Sequence, residues 1–410
     1  MKVRRAISWT TAGVAVAQAS LLAKIFIVAS VTNVHDIGIY AVSASIVAAA
    51  SIFGDGGLRQ LYLSRQADFF LNDKTCLLSS VWIGVLTMSF VAMMLTIPAS
   101  YVISFFLKID PTQLISMSSM IALSSFLGSL SNPFLLFSER RADFLPSVKC
   151  ESFGNLVSLL FVVLFVNEWQ SIWILPASQI LYALVVVTVS YFFKRVHLSH
   201  NCNFRAAWQL LTKGRPFLVI SFATYVTYNL DKIVLGAMLS PAAVGIYFLA
   251  QKIAEIPGKI FSSIVGRLAL PLYAGQKSEI GLSNLRSIIY KNLFIVLLIF
   301  GIISLAFYVN IRFSVWAPDE KWLELTHVLP LMLLAVGLRS GCHVLSPGLI
   351  AIGRVGVDAK LKVVESTLYL FLLPLLIFIA GLYGAVFAFL GIYLVALVGR
   401  YLALNRLMGD

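Results

Sequence analysis

The sequence predicts an all-α polytopic membrane protein: about twelve transmembrane helices in two six-helix lobes, related by a parallel internal repeat around a central cationic cavity. Three observations carry that expectation. The 410 residues are 60% hydrophobic and 12% charged, with a mean hydropathy of +0.92, which leaves too little polar surface to cover a water-soluble globule. Apolar runs of about 20 residues, enough to cross about 30 Å of hydrocarbon as helix, recur along the whole chain. Basic residues sort to alternate connections between those runs.

In chain order the expected spans are 6–31, 37–57, 76–98, 113–137, 144–166, 170–193, 214–239, 243–268, 287–309, 325–350, 357–379 and 382–404. The first begins like a secretory signal, "VRRAISWTTAGVAVAQAS", with a basic start, an apolar stretch and Ala17-Gln18-Ala19. Its apolar run continues through "LLAKIFIVASV" to Val31, too long for a signal, so it is read as an uncleaved span. Spans 1–6 form an N-terminal lobe (1–200) and spans 7–12 a C-terminal lobe (201–410), joined by a basic linker at about 194–213. The linker's "FRAAWQLL" is open to two readings, an amphipathic helix lying on the membrane or a plain solvated connection.

Of the 31 Lys and Arg residues, only Lys108, Arg312 and Lys321 fall on the connections opposite the N-terminus, and five lie within or near spans. The remainder sit on the N-terminal side, which predicts that both termini are cytoplasmic. The net charge of +13 thereby records topology, not nucleic-acid binding. Cys76, Cys150, Cys202 and Cys342 fall in spans or on the cytoplasmic side with no CxxC pair, so neither a disulfide framework nor a metal site is expected.

The repeat is read from two sets of matches. "KIFIVASVTNVHDIGIY" (24–40) aligns with "KIVLGAMLSPAAVGIY" (232–247), pairing Lys24 with Lys232. Pro133, Arg140, Glu151 and Ser152 match Pro347, Arg354, Glu365 and Ser366 at one constant offset. Six spans per copy is an even number, so the copies enter the membrane in the same sense, related by an axis along its normal. The chain lacks a phosphate-binding GxxxxGK[ST] loop, an HExxH pair and a nucleophile–base pair, so no catalytic residue, no enzyme activity and no cofactor is expected.

Five cations lie within or near the expected hydrocarbon: Lys24, Lys232, Lys252, Lys259 and Arg339. Each costs about 2.5–3.5 kcal/mol at a span centre, so facing lipid is excluded for the set. On span 8, Lys252, Glu255, Lys259, Ser262, Ser263 and Gly266 share an arc of roughly 100°. Span 7 aligns Ser221, Tyr225, Tyr228, Asn229 and Lys232 with Asp231 to one side, span 10 aligns Arg339, His343 and Ser346, and span 1 aligns Thr10, Gly13, Ala17, Ser20 and Lys24. The cations outnumber the acids at similar depth, Asp231 and Glu255, which points to an anionic cargo. Structural ion pairs are the competing reading, since Glu255 and Lys259 stand at i,i+4 and Asp231 can hold Lys24 or Lys232. Pro257-Gly258 interrupts span 8, either as a hinge or as a static packing kink. His343 is either a proton relay or a hydrogen-bonded neutral group. Tyr225 and Tyr228 either stack on sugar rings or simply pack. Asp231, Glu255 and His343 are the groups available for ion coupling.

The stretches "NLDKIVLGAMLSPAAVGIYFLAQKIAEIPGKIFSSIVGRLALPLYA" (229–274) and "DIGIYAVSASIVAAASIFGDGGLRQLYLSRQA" (36–67) resemble the Wzx-type polysaccharide or O-antigen flippases, of the superfamily that includes lipid II flippases and multidrug extruders. The resemblance implies a cargo of oligosaccharide on undecaprenyl pyrophosphate, moved from the cytoplasmic to the periplasmic leaflet of a bacterial inner membrane by alternating access. It implies two lobes around a cationic lumen, with a polysaccharide polymerase and a chain-length regulator as partners. The family's charged span-7 motif falls on Asp231-Lys232 and its glycine-rich end of span 2 on Gly54-Asp55-Gly56-Gly57-Leu58-Arg59, where Arg59 either reaches the lumen or marks the cytoplasmic boundary. Independently of it, a diphosphate needs compact cations in a wet, low-dielectric cavity, which the in-span lysines supply. Three rivals stay open. A cation-coupled drug extruder wants an acidic lumen; a polytopic polymerase wants larger external loops than 310–324, with Asp319, Glu320 and Glu324; a scaffold does not need four half-polar helices.

Overall fold

The computed structural model describes residues 2–55, 57–63, 74–141, 143–193, 204–259, 282–312, 322–352 and 354–409. Among these every regular element is α-helix. In chain order they are α1 (Lys2–Val31), α2 (Val34–Asp55), α3 (Leu58–Leu63), α4 (Lys74–Leu107), α5 (Pro111–Ser129), α6 (Phe134–Arg140), α7 (Leu145–Trp169), α8 (Ile174–Ser190), α9 (Phe204–Tyr228), α10 (Leu230–Met238), α11 (241–259), α12 (Leu282–Arg312), α13 (Leu323–Ala351) and α14 (Val355–Gly409).

Local chemistry explains the breaks. Asp110 caps α5, its carboxylate accepting from the Thr112 backbone N–H at 3.1 Å, and Pro111 opens the first turn. Gln170 closes α7 in the left-handed region at φ 38°. Within α14, Gly381 at φ 57° separates two helices, a backbone state that glycine enters without penalty. Six of the described helices are long and apolar enough to cross a membrane, or eight when the bent pairs α5–α6 (71°) and α9–α10 (43°) each count as one span. Shorter apolar helices, Ala15–Val31 and Ile174–Ser190, occupy the expected spans 1 and 6, and expected span 8 is described only as far as residue 259.

The polarity of the helices is inverted relative to a water-soluble bundle. Phe105, Phe106, Phe192, Phe371 and Phe378 are 69–85% exposed, while Thr96, Ser100, Ser158 and Ser190 are buried. Those hydroxyls satisfy themselves locally, as Thr96 does on the Ala92 carbonyl and Ser100 on Thr96, or across helices, as Ser100 does with Ser118 at 2.6 Å between α4 and α5. An apolar exterior over a hydroxyl-bonded interior is the pattern that lipid as solvent selects.

Contacts divide the chain into two compact units, 1–233 and 234–410. In the first, α1 packs on α7, α2 on α4, α4 on α5, α5 on α8 and α7 on α8. In the second, α12 packs on α13 and α13 on α14. The pairs α4–α5 and α12–α13, and likewise α5–α8 and α13–α14, repeat one arrangement at the positions that the sequence repeat equates. The expected boundary at residue 200 differs from this division because α9 packs on α2, α3 and α4. Its Leu210 is buried with Leu58, Leu61, Tyr62, Leu77, Leu78 and Val81. "FRAAWQLL" forms the first turns of α9, continuous with the helix that follows, while 194–203 lie outside the described residues.

Candidate functional site

In the first unit, α1 carries Lys24 into the protein interior at 3% exposure. Its ammonium donates to Ser158 Oγ of α7 at 2.8 Å and stands 5.9 Å from the centre of the Tyr182 ring on α8. Among the described residues no carboxylate lies within salt-bridge distance of it. Lys24 contributes to the wall of a cavity of about 850 Å³ whose described lining residues all belong to this unit. Among the described residues the charged members of that wall are Lys24, Arg59, Glu139 and Glu151; the others are hydroxyl, amide, aromatic, aliphatic and sulfur-bearing.

Arg59, on the short α3, both lines this cavity and is 52% exposed at its side chain. It donates to Glu139 at 2.7 Å, and Ser147 of α7 donates to the other oxygen of the same carboxylate at 2.9 Å. Neither of the two sequence readings of Arg59 excludes the other.

Asp231 and Lys232 form a buried pair at 2.9 Å, with side chains 0% and 5% exposed. The Lys232 ammonium also donates to the Tyr228 carbonyl at 2.6 Å, and the Asp231 carboxylate accepts from the Lys232 backbone N–H. Asp231 thus holds Lys232, not Lys24. The expected straight arc from Ser221 to Lys232 is corrected here: the helix breaks at Asn229, and α9 and α10 meet at 43°. The break leaves the Tyr228 carbonyl free for the lysine, and the helical periodicity used in the sequence does not continue across it. Tyr225 is buried and Tyr228 half-buried.

In the second unit three cations converge on one carboxylate. Glu255 lies 3.1 Å from Lys259, 3.6 Å from Lys252 and 3.2 Å from Arg339, which reaches it from α13. Glu255 and Arg339 are 7% exposed, Lys252 24% and Lys259 35%. The i,i+3 and i,i+4 spacings on α11 bring the lysines to the acid, and tertiary packing brings the arginine. Pro257 and Gly258 lie inside helix α11. A Cβ on Gly258 would stand 3.1 Å from Ser340 Oγ and 3.3 Å from Val336 of α13, so the glycine admits α13 close to the helix. Ser262, Ser263 and Gly266 lie outside the described residues. His343, one turn beyond Arg339, is exposed.

Sequence reasoning missed a second network in this unit. Arg400 is 3% exposed and donates to Asp358 at 3.0 Å, to Glu365 at 3.1 Å and to Ser346 Oγ at 3.1 Å. Ser346 in turn donates to Asp358 at 3.0 Å. Arg400 counts among the basic residues on the N-terminal side by charge sorting, yet it falls inside the expected span 382–404. That position, with two acids seven residues apart on the preceding helix, was the available signal.

Among the described residues no group of His, Cys, Asp and Glu could hold a metal ion, and Cys150 and Cys342 are buried and unbridged.

The solved lipid II flippase MurJ, in an inward closed conformation, superposes with a TM-score of 0.72 at 14% identity, over 98% of this chain and 87% of its own, which establishes the fold. The lipopolysaccharide biosynthesis protein WzxC of Escherichia coli (strain K12) is 22% identical over 93% of this chain and 76% of its own length. The teichuronic acid biosynthesis protein TuaB of Bacillus subtilis (strain 168) is 22% identical over 63% of this chain, and the match spans about half, 53%, of TuaB. Residues 27–318 match the family described as polysaccharide biosynthesis protein, a region that includes both stretches on which the Wzx-type resemblance rests; the chain belongs to that family.

Proposed function

We propose that the protein flips a polyprenyl-diphosphate-linked oligosaccharide from the cytoplasmic to the outer leaflet of a bacterial inner membrane by alternating access, both termini facing the cytoplasm. The observation that carries this reading is the cluster of Lys252, Lys259 and Arg339 on the single carboxylate of Glu255. Three cations against one acid is more than a structural pair requires. The two lysines keep enough exposure to meet a ligand, and a diphosphate is the polyanion that a glycan on a polyprenyl carrier presents. Family membership supports the polysaccharide part of the reading. A multidrug extruder, which favours cationic drugs, is poorly served by this charge balance. Lys232, held by Asp231, takes a supporting role in the proposal, and Tyr225 and Tyr228 are the proposed stacking faces for sugar rings. Asp231, Glu255 and His343 are the proposed points of ion coupling, and a polymerase and a chain-length regulator the proposed partners.

The test is transbilayer movement of a fluorescent polyprenyl-diphosphate oligosaccharide in proteoliposomes. Lys259→Ala is expected to slow movement by roughly tenfold or more with the protein still folded, and Lys259→Arg to retain part of it. If Lys259→Ala/Glu255→Ala moves the lipid as fast as the parent, Lys259 is only a counter-ion and the diphosphate assignment fails there. Movement unchanged after proton and sodium gradients are both collapsed dismisses ion coupling.

A further inference from the structure

The cavity of the first unit differs in chemistry from the Glu255 cluster. Among the described residues its charged wall positions are two cations, Lys24 and Arg59, and two acids, Glu139 and Glu151, a balance where a diphosphate would want a surplus of cations. Arg59 is already engaged by Glu139 at 2.7 Å. Among the described residues Lys24 is the cation of the wall with no carboxylate beside it, held by the Ser158 hydroxyl and the Tyr182 ring. One buried ammonium matches one carboxylate better than it matches a polyanion.

The remaining wall suits a carbohydrate. Gln18 lies on α1 below Lys24, and its side-chain carbonyl oxygen is buried without a hydrogen-bond partner among the described residues. A buried acceptor left unmade is costly, and a sugar hydroxyl would satisfy it. Asn155 and Gln179 add amides on α7 and α8, and Trp82 and Tyr182 add ring faces of the kind on which the apolar side of a pyranose rests. A volume of about 850 Å³ accommodates more than one sugar ring.

We infer that this cavity is the glycan subsite of the cargo, with Gln18, Asn155 and Gln179 taking sugar hydroxyls and Lys24 pairing with the carboxylate of a uronic acid residue. The inference rests on the proposed function for the identity of the cargo and goes beyond it by naming which part of the cargo this unit reads. Lys24 is thereby a specificity-determining residue that selects acidic over neutral glycans.

The experiment uses the full chain in nanodiscs and three soluble probes: a disaccharide ending in glucuronate, its neutral glucose counterpart, and inorganic pyrophosphate. Saturation-transfer NMR and titration calorimetry read their binding. The glucuronate probe is expected to bind roughly tenfold or more tightly than the neutral one, and to lose that preference in Lys24→Met. Lys24→Arg is expected to keep it, and Gln18→Ala to weaken both disaccharides alike. Equal binding of the two disaccharides to the parent protein overturns the assignment of Lys24. Displacement of the glucuronate probe by pyrophosphate shows that Lys24 serves the diphosphate, and also overturns it. A thermal midpoint for each variant separates lost binding from lost folding. If the glucuronate probe binds as expected while no polyprenyl-linked glycan moves in proteoliposomes, the subsite stands and the flippase reading falls.

Discussion

In the second unit Glu365 is buried against Arg400, with Asp358 and Ser346 completing the network, whereas Glu151, its mate in the repeat, is exposed on the wall of a cavity. The constant offset between the halves carries Arg400 onto Val186, and Val186 packs in an apolar cluster with Leu135 and Cys150. One half fills the corner with a buried ion network; the other places its acid at an exposed position on a cavity wall. The cations follow the same division, since among the described residues Lys24 has no carboxylate beside it while Lys252, Lys259 and Arg339 share Glu255. A duplicated scaffold therefore does not imply duplicated chemistry: helix packing is common to the halves, and charge placement is where they diverged.

The sharpest break of that comparison is Arg400→Leu. It strands Asp358 and Glu365 without their cation, and breaking a buried pair in this way costs about 3–5 kcal/mol. The thermal midpoint in detergent should fall steeply, and Arg400→Leu combined with Glu365→Leu should recover part of the loss. Glu151→Gln, at the equivalent position, should shift the midpoint little, because its side chain is exposed. Comparable losses for Arg400→Leu and Glu151→Gln would mean that the two corners are equivalent after all.

A smaller effect separates the three partners of Glu255. Arg339 shares its burial at 7%, while Lys259 is 35% exposed and Lys252 stands farther off at 3.6 Å. Double-mutant cycles on stability should give a coupling of roughly 1.5–3 kcal/mol for Arg339–Glu255. For Lys259–Glu255 the expectation is about 0.2–1 kcal/mol, falling further as salt is raised. Couplings in the reverse order would make Arg339 the cation left for cargo and Lys259 the structural one.

Much of this organisation was legible in the sequence because it follows from apolar run length and from spacing along one helix. Among the described residues helix occupies most of each expected span, with breaks at 130–133 and at Asn229, and Glu255 with Lys259 was readable from its i,i+4 spacing. What one-dimensional pattern cannot carry is contact across helices. Arg339 reaches Glu255, Lys24 reaches Ser158 and Arg400 reaches Glu365 only through packing, and in each case the sequence offered a charge without its partner. The break at Asn229 was illegible for another reason, since it carries neither proline nor glycine and the periodicity runs through it unmarked.

The finest difference between the halves is at the start of equivalent helices. α5 opens with Asp110, whose carboxylate accepts from the Thr112 backbone N–H at 3.1 Å and from the Thr112 hydroxyl at 2.7 Å. α13, its counterpart, opens at Trp322 with no side-chain cap. The Thr112 hydroxyl, with the backbone N–H behind it, holds the Asp110 carboxyl below the usual carboxylate range. A depressed folded-state pKa contributes stability that is present above the ordinary carboxylate pKa and lost as pH falls through the lowered value. Acidification should therefore loosen the first turn of α5 and leave that of α13 without a matching cap to lose. Hydrogen exchange at the Thr112 and Leu114 amides, corrected for the intrinsic pH dependence of exchange, reads this directly. Protection should decline below the usual carboxylate range in the parent protein and be low at every pH in Asp110→Ala. Asp110→Asn retains an acceptor oxygen that does not titrate, so its protection should be intermediate and independent of pH. If Asp110→Asn declines with acid as the parent does, the titrating group lies elsewhere, and the cap is not what distinguishes the two helices.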